Sequence, residues 1–260
     1  MHSTVYYESM GNTIQTNIIE LNIKSAQDLK STIKSLKVLN AGRVMLTDRD
    51  PSRPQLAYAS EILAHLPEIE VNCVYSLGLR GQESGWEELS DYLSEAGKSG
   101  VQEVLIVSGE PKREGFDSVS ALEYLKQQKY TPGVPGRNKA PKVSVAYNPY
   151  LPAGEIEVEN QRLQEKLDSG LVSGVYLQLG EDADALINGI SLVRSLSQVE
   201  ILAAILTPSA GTIARLKENT WPGVYYKTFY EGEEAAKSVN SRIESVCKQA
   251  GIYIYFCGAI

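Results

Sequence analysis

The chain has 260 residues, of which 43% are hydrophobic and 22% charged, a length and balance that suit one large globular α/β domain. Its formal net charge is -7, with 25 basic against 32 acidic residues, which argues against a protein that holds nucleic acid through the phosphate backbone. Two histidines and three cysteines leave little material for a zinc site, a Ser-His-Asp triad or a Cys-His dyad.

Short β-rich segments alternate with amphipathic helical segments along the chain. The predicted strands are, in order, 16–23, 43–47, 70–77, 103–109, 142–148, 174–180, 199–206 and 252–258. The predicted helices are 25–39, 56–63, 85–97, 119–127, 155–169, 182–195, a segment beginning at 209, and 231–249. Strict repetition of strand and helix predicts a parallel sheet. Eight strands favour closure into a single (β/α)8 barrel, with the chain ending just after the eighth strand, over the alternative of an open doubly wound sheet.

The chain start, MHSTVYYESMGNT, lacks the basic and apolar regions of a signal peptide. No apolar run approaches the roughly 20 residues that are needed to cross a bilayer. Three scattered cysteines suit a reducing compartment. We therefore expect a cytoplasmic protein with no membrane contact, in which residues 1–15 form an N-terminal extension and residues 16–260 form the barrel.

The active site of such a barrel lies at the carboxyl ends of its strands. The predicted strand ends carry Glu20, Thr47, Asp48, Tyr75, Ser76, Ser108, Gly109, Glu110, Tyr147, Asn148, Gln178, Leu206, Thr207, Pro208 and either Tyr255 or Cys257. These side chains offer carboxylates for acid–base chemistry, together with amides and hydroxyls. They do not form a metal cage, so no metal site is predicted.

Glu20 is the first candidate for catalysis, because it is a carboxylate in the otherwise apolar strand segment IIEL. Partial burial would raise its pKa and keep a proton available near neutral pH. The alternative is a glutamate that points to solvent at a strand end.

Two further strand ends could contact a ligand. Gly109 would let the backbone approach a flat ligand closely, and Glu110 could bind a donor group on it. Gln178 is an amide between apolar neighbours and needs a hydrogen-bond partner, which could be a heterocycle. The alternatives are an ordinary polar loop at Glu110 and an internal hydrogen bond at Gln178.

Several short motifs follow the order found in a known reductase family. NIIELNI carries Glu20, VMLT carries Thr47, and IVSGEPK carries Gly109. VAYNPYLPAGE carries Tyr147, KLDSGLVSGVYLQ carries Gln178, and AAILTP follows. In their order and placement over nearly the whole chain, these motifs resemble methylenetetrahydrofolate reductase.

The resemblance implies an NADH- or NADPH-dependent oxidoreductase of one-carbon metabolism that reduces 5,10-methylenetetrahydrofolate to 5-methyltetrahydrofolate. It implies Glu20 as the general acid. The residues that it places at the folate substrate are Glu110, Gln178 and Tyr147. The residues that it places at the cofactor are Thr47, Gly109, Ser108, Tyr75 and Lys166. Relatives commonly associate, so a homo-oligomer is also implied.

The flavin contacts of that family are altered in this sequence. Val74 and Leu151 stand where the family has histidines, and Glu165 with Lys166 replaces a basic pair that holds the flavin phosphates. FAD binding is therefore left open, and hydride could pass directly from the nicotinamide. Two alternatives also stay open: a folate-binding or regulatory barrel without reductase activity, and a lyase or methyltransferase that uses the carboxylates on another small molecule.

Overall fold

The computed structural model describes residues 18–48, 50, 54–80, 85–109, 115–133, 140–218 and 227–258. Within them, eight parallel strands close into one barrel in chain order, which confirms the predicted (β/α)8 architecture. The strands are β1 (Ile18–Leu21), β2 (Arg43–Leu46), β3 (Glu70–Ser76), β4 (Glu103–Val107), β5 (Lys142–Tyr147), β6 (Val172–Leu177), β7 (Glu200–Leu206) and β8 (Tyr253–Cys257).

Helices connect successive strands. The α-helices are α1 (Ala26–Leu39), α2 (Gln55–His65), α3 (Leu77–Arg80), α4 (Trp86–Lys98), α5 (Ser118–Gln127), α6 (Ala153–Asp168), α7 (Ala183–Leu196), α8 (Ala210–Glu218) and α9 (Glu233–Ala250). The short helix α3 and a 3-10 helix at Thr228–Glu231 were not predicted from the sequence pattern. The latter has a single turn, which is too short for a periodic apolar pattern to reveal.

Contacts across the barrel identify which face of each strand points inward. The Arg43 guanidinium on β2 lies 2.9 Å from the Glu200 carboxylate on β7, and the Tyr176 hydroxyl on β6 donates to Glu103 on β4. Residues that are in register on neighbouring strands point to the same face of the sheet, and so do residues two positions apart on one strand. The inner face therefore also carries Ile18, Glu20, Met45, Asn72, Val74, Leu105, Ser144, Ala146, Gly174, Leu202, Ala204, Tyr255 and Cys257.

The outer face of the barrel forms the main hydrophobic core against the helices. Val44, Val104 and Val145 are fully buried there, and Ile62 and Leu89 pack from the helix layer. Each such aliphatic side chain stabilises the fold by about 1.5–3 kcal/mol when it leaves water. The apolar outer face thus holds the helices in place and leaves the inner face for polar residues.

Helix ends are fixed by side chains next to the strands. Ser25, Asp117 and Asp182 cap the amino ends of α1, α5 and α7 by accepting backbone N–H groups. Asn40 and Gly251 end α1 and α9 in the left-handed conformation. An amino-terminal cap of this kind contributes about 1 kcal/mol, so these residues help to set where each helix starts.

Some expectations about the whole chain stay predictions. The proposed extension at 1–15 falls outside the described residues, so the division between 1–15 and 16–260 stays a prediction. No helix in the described part of the chain is both long and apolar enough to cross a membrane. The cytoplasmic location and the homo-oligomer also stay predictions.

Candidate active site

Polar side chains collect at the carboxyl-terminal mouth of the barrel interior. Glu20 on β1, Ser76 on β3 and Cys257 on β8 lie at the last inward position of their strands. Thr47 and Gln178 are the first residues after β2 and β6, and both continue the inner face. The Thr47 N–H still donates to Leu21 on β1, and the Gln178 N–H still donates to Tyr147 on β5, so the strand pairing extends to both residues. The fold therefore brings the predicted residues Glu20, Thr47 and Gln178 to the same end of the barrel.

Glu20 is held inside this mouth. It is 6% exposed, and its Oε2 accepts the backbone N–H of Gly258 at 2.6 Å. Gly258 has a φ of 72°, a left-handed conformation that a glycine adopts without strain. The carboxylate is thus buried rather than solvent-facing, and the turn after β8 fixes where it stands.

Neutral hydrogen-bonding groups share the mouth with Glu20. The Thr47 hydroxyl donates to the Leu21 carbonyl at 3.2 Å, which places it over the end of β1. The Gln178 amide oxygen accepts the N–H of Leu179 at 3.1 Å, and its side chain is half-buried. These groups can hydrogen-bond to oxygen atoms of a small polar ligand.

The end of β4 approaches the end of β3 closely. Gly109 has a φ of 67°, and a Cβ at this position would lie 2.0 Å from the Ser76 Oγ. The backbone carbonyl of Ser108 accepts the N–H of Gly78 at 2.8 Å, and the side-chain hydroxyl oxygen of Ser108 accepts the N–H of Ser118. Gly109 and Ser108 therefore join neighbouring segments of the protein, and Glu110 lies outside the described residues.

Two predicted ligand contacts lie on the outer face of the barrel. The Tyr147 hydroxyl donates to Asn160 on α6 at 2.6 Å, and burial raises the pKa of Tyr147 to about 12. The Tyr75 ring packs against Tyr92 of α4, with 4.8 Å between the ring centroids. Both side chains point toward the helix layer, because each has odd spacing from the inward residues of its strand.

Lys166 is enclosed between α6 and the wall of the barrel. It is 3% exposed, its Nζ donates to the Ala146 carbonyl at 2.9 Å, and Glu159 lies 3.8 Å away. Burial lowers the pKa of this ammonium group, and the nearby Glu159 carboxylate opposes that shift. The side chain contacts the end of β5 from the helix layer and does not lie on the inner face of the barrel.

A buried polar network that the sequence did not predict ties the ends of β2 and β3 together. Asp48 Oδ2 accepts both the N–H of Ser76 at 3.0 Å and the Arg80 Nε at 2.8 Å. The Gln55 amide donates to the carbonyls of Leu46 and Val74. Asp48 and Gln55 also line a shallow open cleft at the end of β2, together with Thr47 and Leu21. Arg80 and Gln55 gave no sequence signal, because both lie outside the predicted strand ends.

The arrangement supports proton transfer beside a polar ligand. Glu20 supplies a fixed carboxylate, and hydroxyl and amide groups stand at the same barrel end. Among the described residues, no group of three His, Cys, Asp or Glu side chains could hold a metal ion.

Comparisons with known proteins find similarity of fold. No family model and no curated protein matches the sequence. A 2,3-dimethylmalate lyase of the PEP mutase/isocitrate lyase superfamily is 11% identical, with a TM-score of 0.57 over 98% of this chain and 79% of the lyase. A structure of the tryptophan synthase α2β2 complex from Pyrococcus furiosus includes a chain that is 17% identical, with a TM-score of 0.51 over 91% of this chain and 99% of that one. The aldolase QR15 is 15% identical, with a TM-score of 0.55 over 96% of this chain and 93% of the aldolase.

These likenesses correct the functional expectation. The assignment to methylenetetrahydrofolate reductase is wrong, because the solved barrels reported above are a lyase, an aldolase and a tryptophan synthase chain and not folate reductases. The expectations that rested on that family are therefore withdrawn: NADH or NADPH as co-substrate, a folate substrate and a place in one-carbon metabolism. The similar barrels also give no support for FAD, whose binding the sequence leaves open. The physical reason is that every barrel of this class ends eight strands at one mouth, so short motifs at strand ends recur without shared chemistry.

Proposed function

We propose that this chain is a lyase that cleaves or forms a carbon–carbon bond in a small β-hydroxy carbonyl compound. The observation that carries the proposal is Glu20, a 6% exposed carboxylate that the Gly258 N–H holds at the mouth of the barrel. Active sites of (β/α)8 enzymes lie at this end. The fold likeness to a lyase and an aldolase supports the reaction class.

The proposed reaction needs one group that takes and returns a proton. Glu20 accepts the proton of the substrate hydroxyl while the bond between the α and β carbons breaks, and the bonding electrons move into the carbonyl as an enolate. The hydroxyl carbon leaves as a second carbonyl compound. The carboxylic acid of Glu20 then returns the proton to the enolate carbon, so the reaction consumes no oxidant or reductant.

Thr47 and Gln178 would orient the substrate in this proposal. The Thr47 hydroxyl donates to the Leu21 carbonyl and can accept a hydrogen bond from the substrate. The Gln178 amide N–H can donate to the carbonyl oxygen of the substrate, where negative charge develops. Fixed donors at that position lower the barrier more than they strengthen ground-state binding.

The test uses 4-hydroxy-2-oxoglutarate and 2,3-dimethylmalate as probes, because cleavage of either compound releases pyruvate. Proton NMR follows the probe, pyruvate and the second product in one tube, with and without added Mg²⁺. The purified protein is expected to convert at least one probe to equal amounts of two products. Glu20→Gln is expected to lower that rate about 10²- to 10⁴-fold, the usual contribution of a proton-transferring group.

Glu103→Gln is the matched control, because it neutralises another buried carboxyl group of the barrel interior at the opposite end. It should keep the wild-type rate, and circular dichroism should show both variants folded. Absence of pyruvate from both probes, or a Glu20→Gln variant with the wild-type rate, would contradict the proposal.

A further inference from the structure

One fully buried amide side chain inside the barrel, that of Asn72, lacks a protein partner in the described part of the chain. Among the described residues, neither amide atom of Asn72 has a hydrogen-bond partner. The Ser144 hydroxyl lies beside the Glu103 carboxyl group and interacts with it. Asn72 and Ser144 are both 0% exposed. Buried polar groups in folded proteins are nearly always hydrogen-bonded to protein or to ordered water, so the two unpartnered amide atoms of Asn72 indicate a bound molecule.

The surrounding residues make this region one polar enclosure. Asn72 on β3 is in register with Glu103 on β4, and Ser144 on the next strand is in register with Gly174 on β6. The Tyr176 hydroxyl, which also lies on the inner face, donates to Glu103 at 2.8 Å. Adjacent strands are about 4.8 Å apart, so Asn72, Glu103 and Ser144 line neighbouring positions on the inner wall.

Below this region, ion pairs close the amino-terminal end of the barrel. Arg43 contacts Glu200 at 2.9 Å and Glu70 at 3.4 Å, and its guanidinium lies over the Tyr253 ring. A molecule held above these pairs would exchange with bulk solvent only when the protein opens.

We propose that Asn72, Ser144 and Glu103 enclose a binding site for internal water. The Asn72 amide presents a donor and an acceptor together, so its partner must both accept and donate hydrogen bonds. A cation would satisfy only the amide oxygen, and an anion would face the carboxyl group of Glu103. Water satisfies both ends of the amide and the serine hydroxyl as well.

Gly174 offers an independent way to disturb the site. A Cβ at this position would lie 2.7 Å from the Ser144 Oγ, so Gly174→Ala pushes a methyl group toward the hydroxyl. Asn72→Leu removes the amide while keeping the number and branching of the side-chain heavy atoms. Met45→Leu is the matched control, because Met45 is fully buried, is in register with Asn72 and carries no hydrogen-bonding group of comparable strength.

Oxygen-17 magnetic relaxation dispersion of the full chain tests the site, because its amplitude counts water molecules that stay longer than the protein tumbles. Asn72→Leu and Gly174→Ala are each expected to lose the contribution of at least one such water, whereas Met45→Leu keeps the wild-type amplitude. Ser144→Ala provides a further variant if Asn72→Leu fails to fold.

Equal amplitudes in the wild type and in every folded variant would overturn the proposal. A melting temperature that rises with K⁺ or NH₄⁺ but not with Na⁺ at equal ionic strength would overturn it as well, in favour of a bound cation. Asn72 and Ser144 lie on β3 and β5, away from β1, which carries Glu20. The water count and the pyruvate assay are separate readouts, so failure of one proposal can be told from failure of the other.

Discussion

The two ends of the barrel interior use polar residues in different ways. At the amino-terminal end, Arg43 pairs with Glu200 and Glu70 on other strands. At the carboxyl-terminal end, the carboxylate of Glu20 is held by a backbone N–H beside the hydroxyl of Thr47. The comparison teaches that charges paired across the barrel serve to close it. A carboxylate fixed at the mouth by a turn is held in one position, which is what the proposed lyase reaction requires.

Removal of Arg43 should give the largest loss of stability. Arg43→Met leaves the carboxylates of Glu200 and Glu70 without their cation. Loss of one partner from a fully buried ion pair costs about 3–5 kcal/mol, and these carboxylates are partly exposed, so we expect a loss near the lower end of that range, about 3 kcal/mol. Urea denaturation followed by circular dichroism measures the change in the free energy of unfolding.

The double variant Arg43→Met with Glu200→Gln is the control for this effect. It removes a carboxylate together with the cation, so it should be less destabilised than Arg43→Met alone. Equal losses in the two variants would show that packing of the Arg43 side chain, and not its charge, closes this end.

Gly109→Ala, at the mouth, should give the second-largest loss of stability. The positive φ of 67° and the 2.0 Å approach of a Cβ to the Ser76 Oγ act together. The left-handed conformation alone costs about 1–2 kcal/mol for a residue with a Cβ, so we expect a total loss above about 2 kcal/mol. Thermal unfolding measures it.

Gly251→Ala is the matched control, because Gly251 has a φ of 62° at the end of α9 and nothing within 4 Å of a Cβ. It should show the backbone cost alone. If the two alanine variants lose the same stability, the close approach of β4 to β3 contributes nothing to the mouth.

Glu103 should make stability depend on pH. Burial raises the pKa of Glu103, and the hydrogen bond from Tyr176 opposes that shift. The folded state therefore holds this proton more tightly than the unfolded chain does. The stability that the protonated Glu103 side chain contributes is therefore fully present below the ordinary glutamate pKa of 4.5. It is lost as the pH rises through the higher pKa of the folded state.

Glu103→Gln should remove this dependence. Urea denaturation at about pH 4 and about pH 7 should show a smaller loss of stability on the rise in pH for the variant than for the wild type. An equal loss of stability in the wild type and in Glu103→Gln would mean that another group causes the pH dependence. The amino-terminal end of the barrel would then differ less from the mouth than proposed.

Gln178→Ala should give the smallest effect. The side chain is half-buried, and its amide oxygen accepts only a local N–H, from Leu179, among the contacts described above. We expect a change below about 1 kcal/mol in thermal unfolding, within the range of ordinary hydrogen bonds. A larger loss would mean that the mouth, like the opposite end, is built for stability.

The sequence predicted the fold better than it predicted the site. Apolar segments separated by helical periodicity located all eight strands, because burial on the helix side imposes a near-continuous apolar pattern. The same patterns placed Glu20, Thr47 and Gln178 at strand ends that the barrel brings together. Tyr75 and Tyr147 were predicted as ligand contacts, but they face the helices, since a strand end shows the position of a residue and not its face.

Local chemistry in the sequence determined the strands, the helix starts at Ser25, Asp117 and Asp182, and the order of the barrel. Only the tertiary structure decided which polar groups meet. Arg43 and Glu200 are 157 residues apart, and Glu20 and Gly258 are 238 apart. Such pairs exist because closure joins β8 to β1 and turns alternate residues of every strand inward, and no local pattern records that closure.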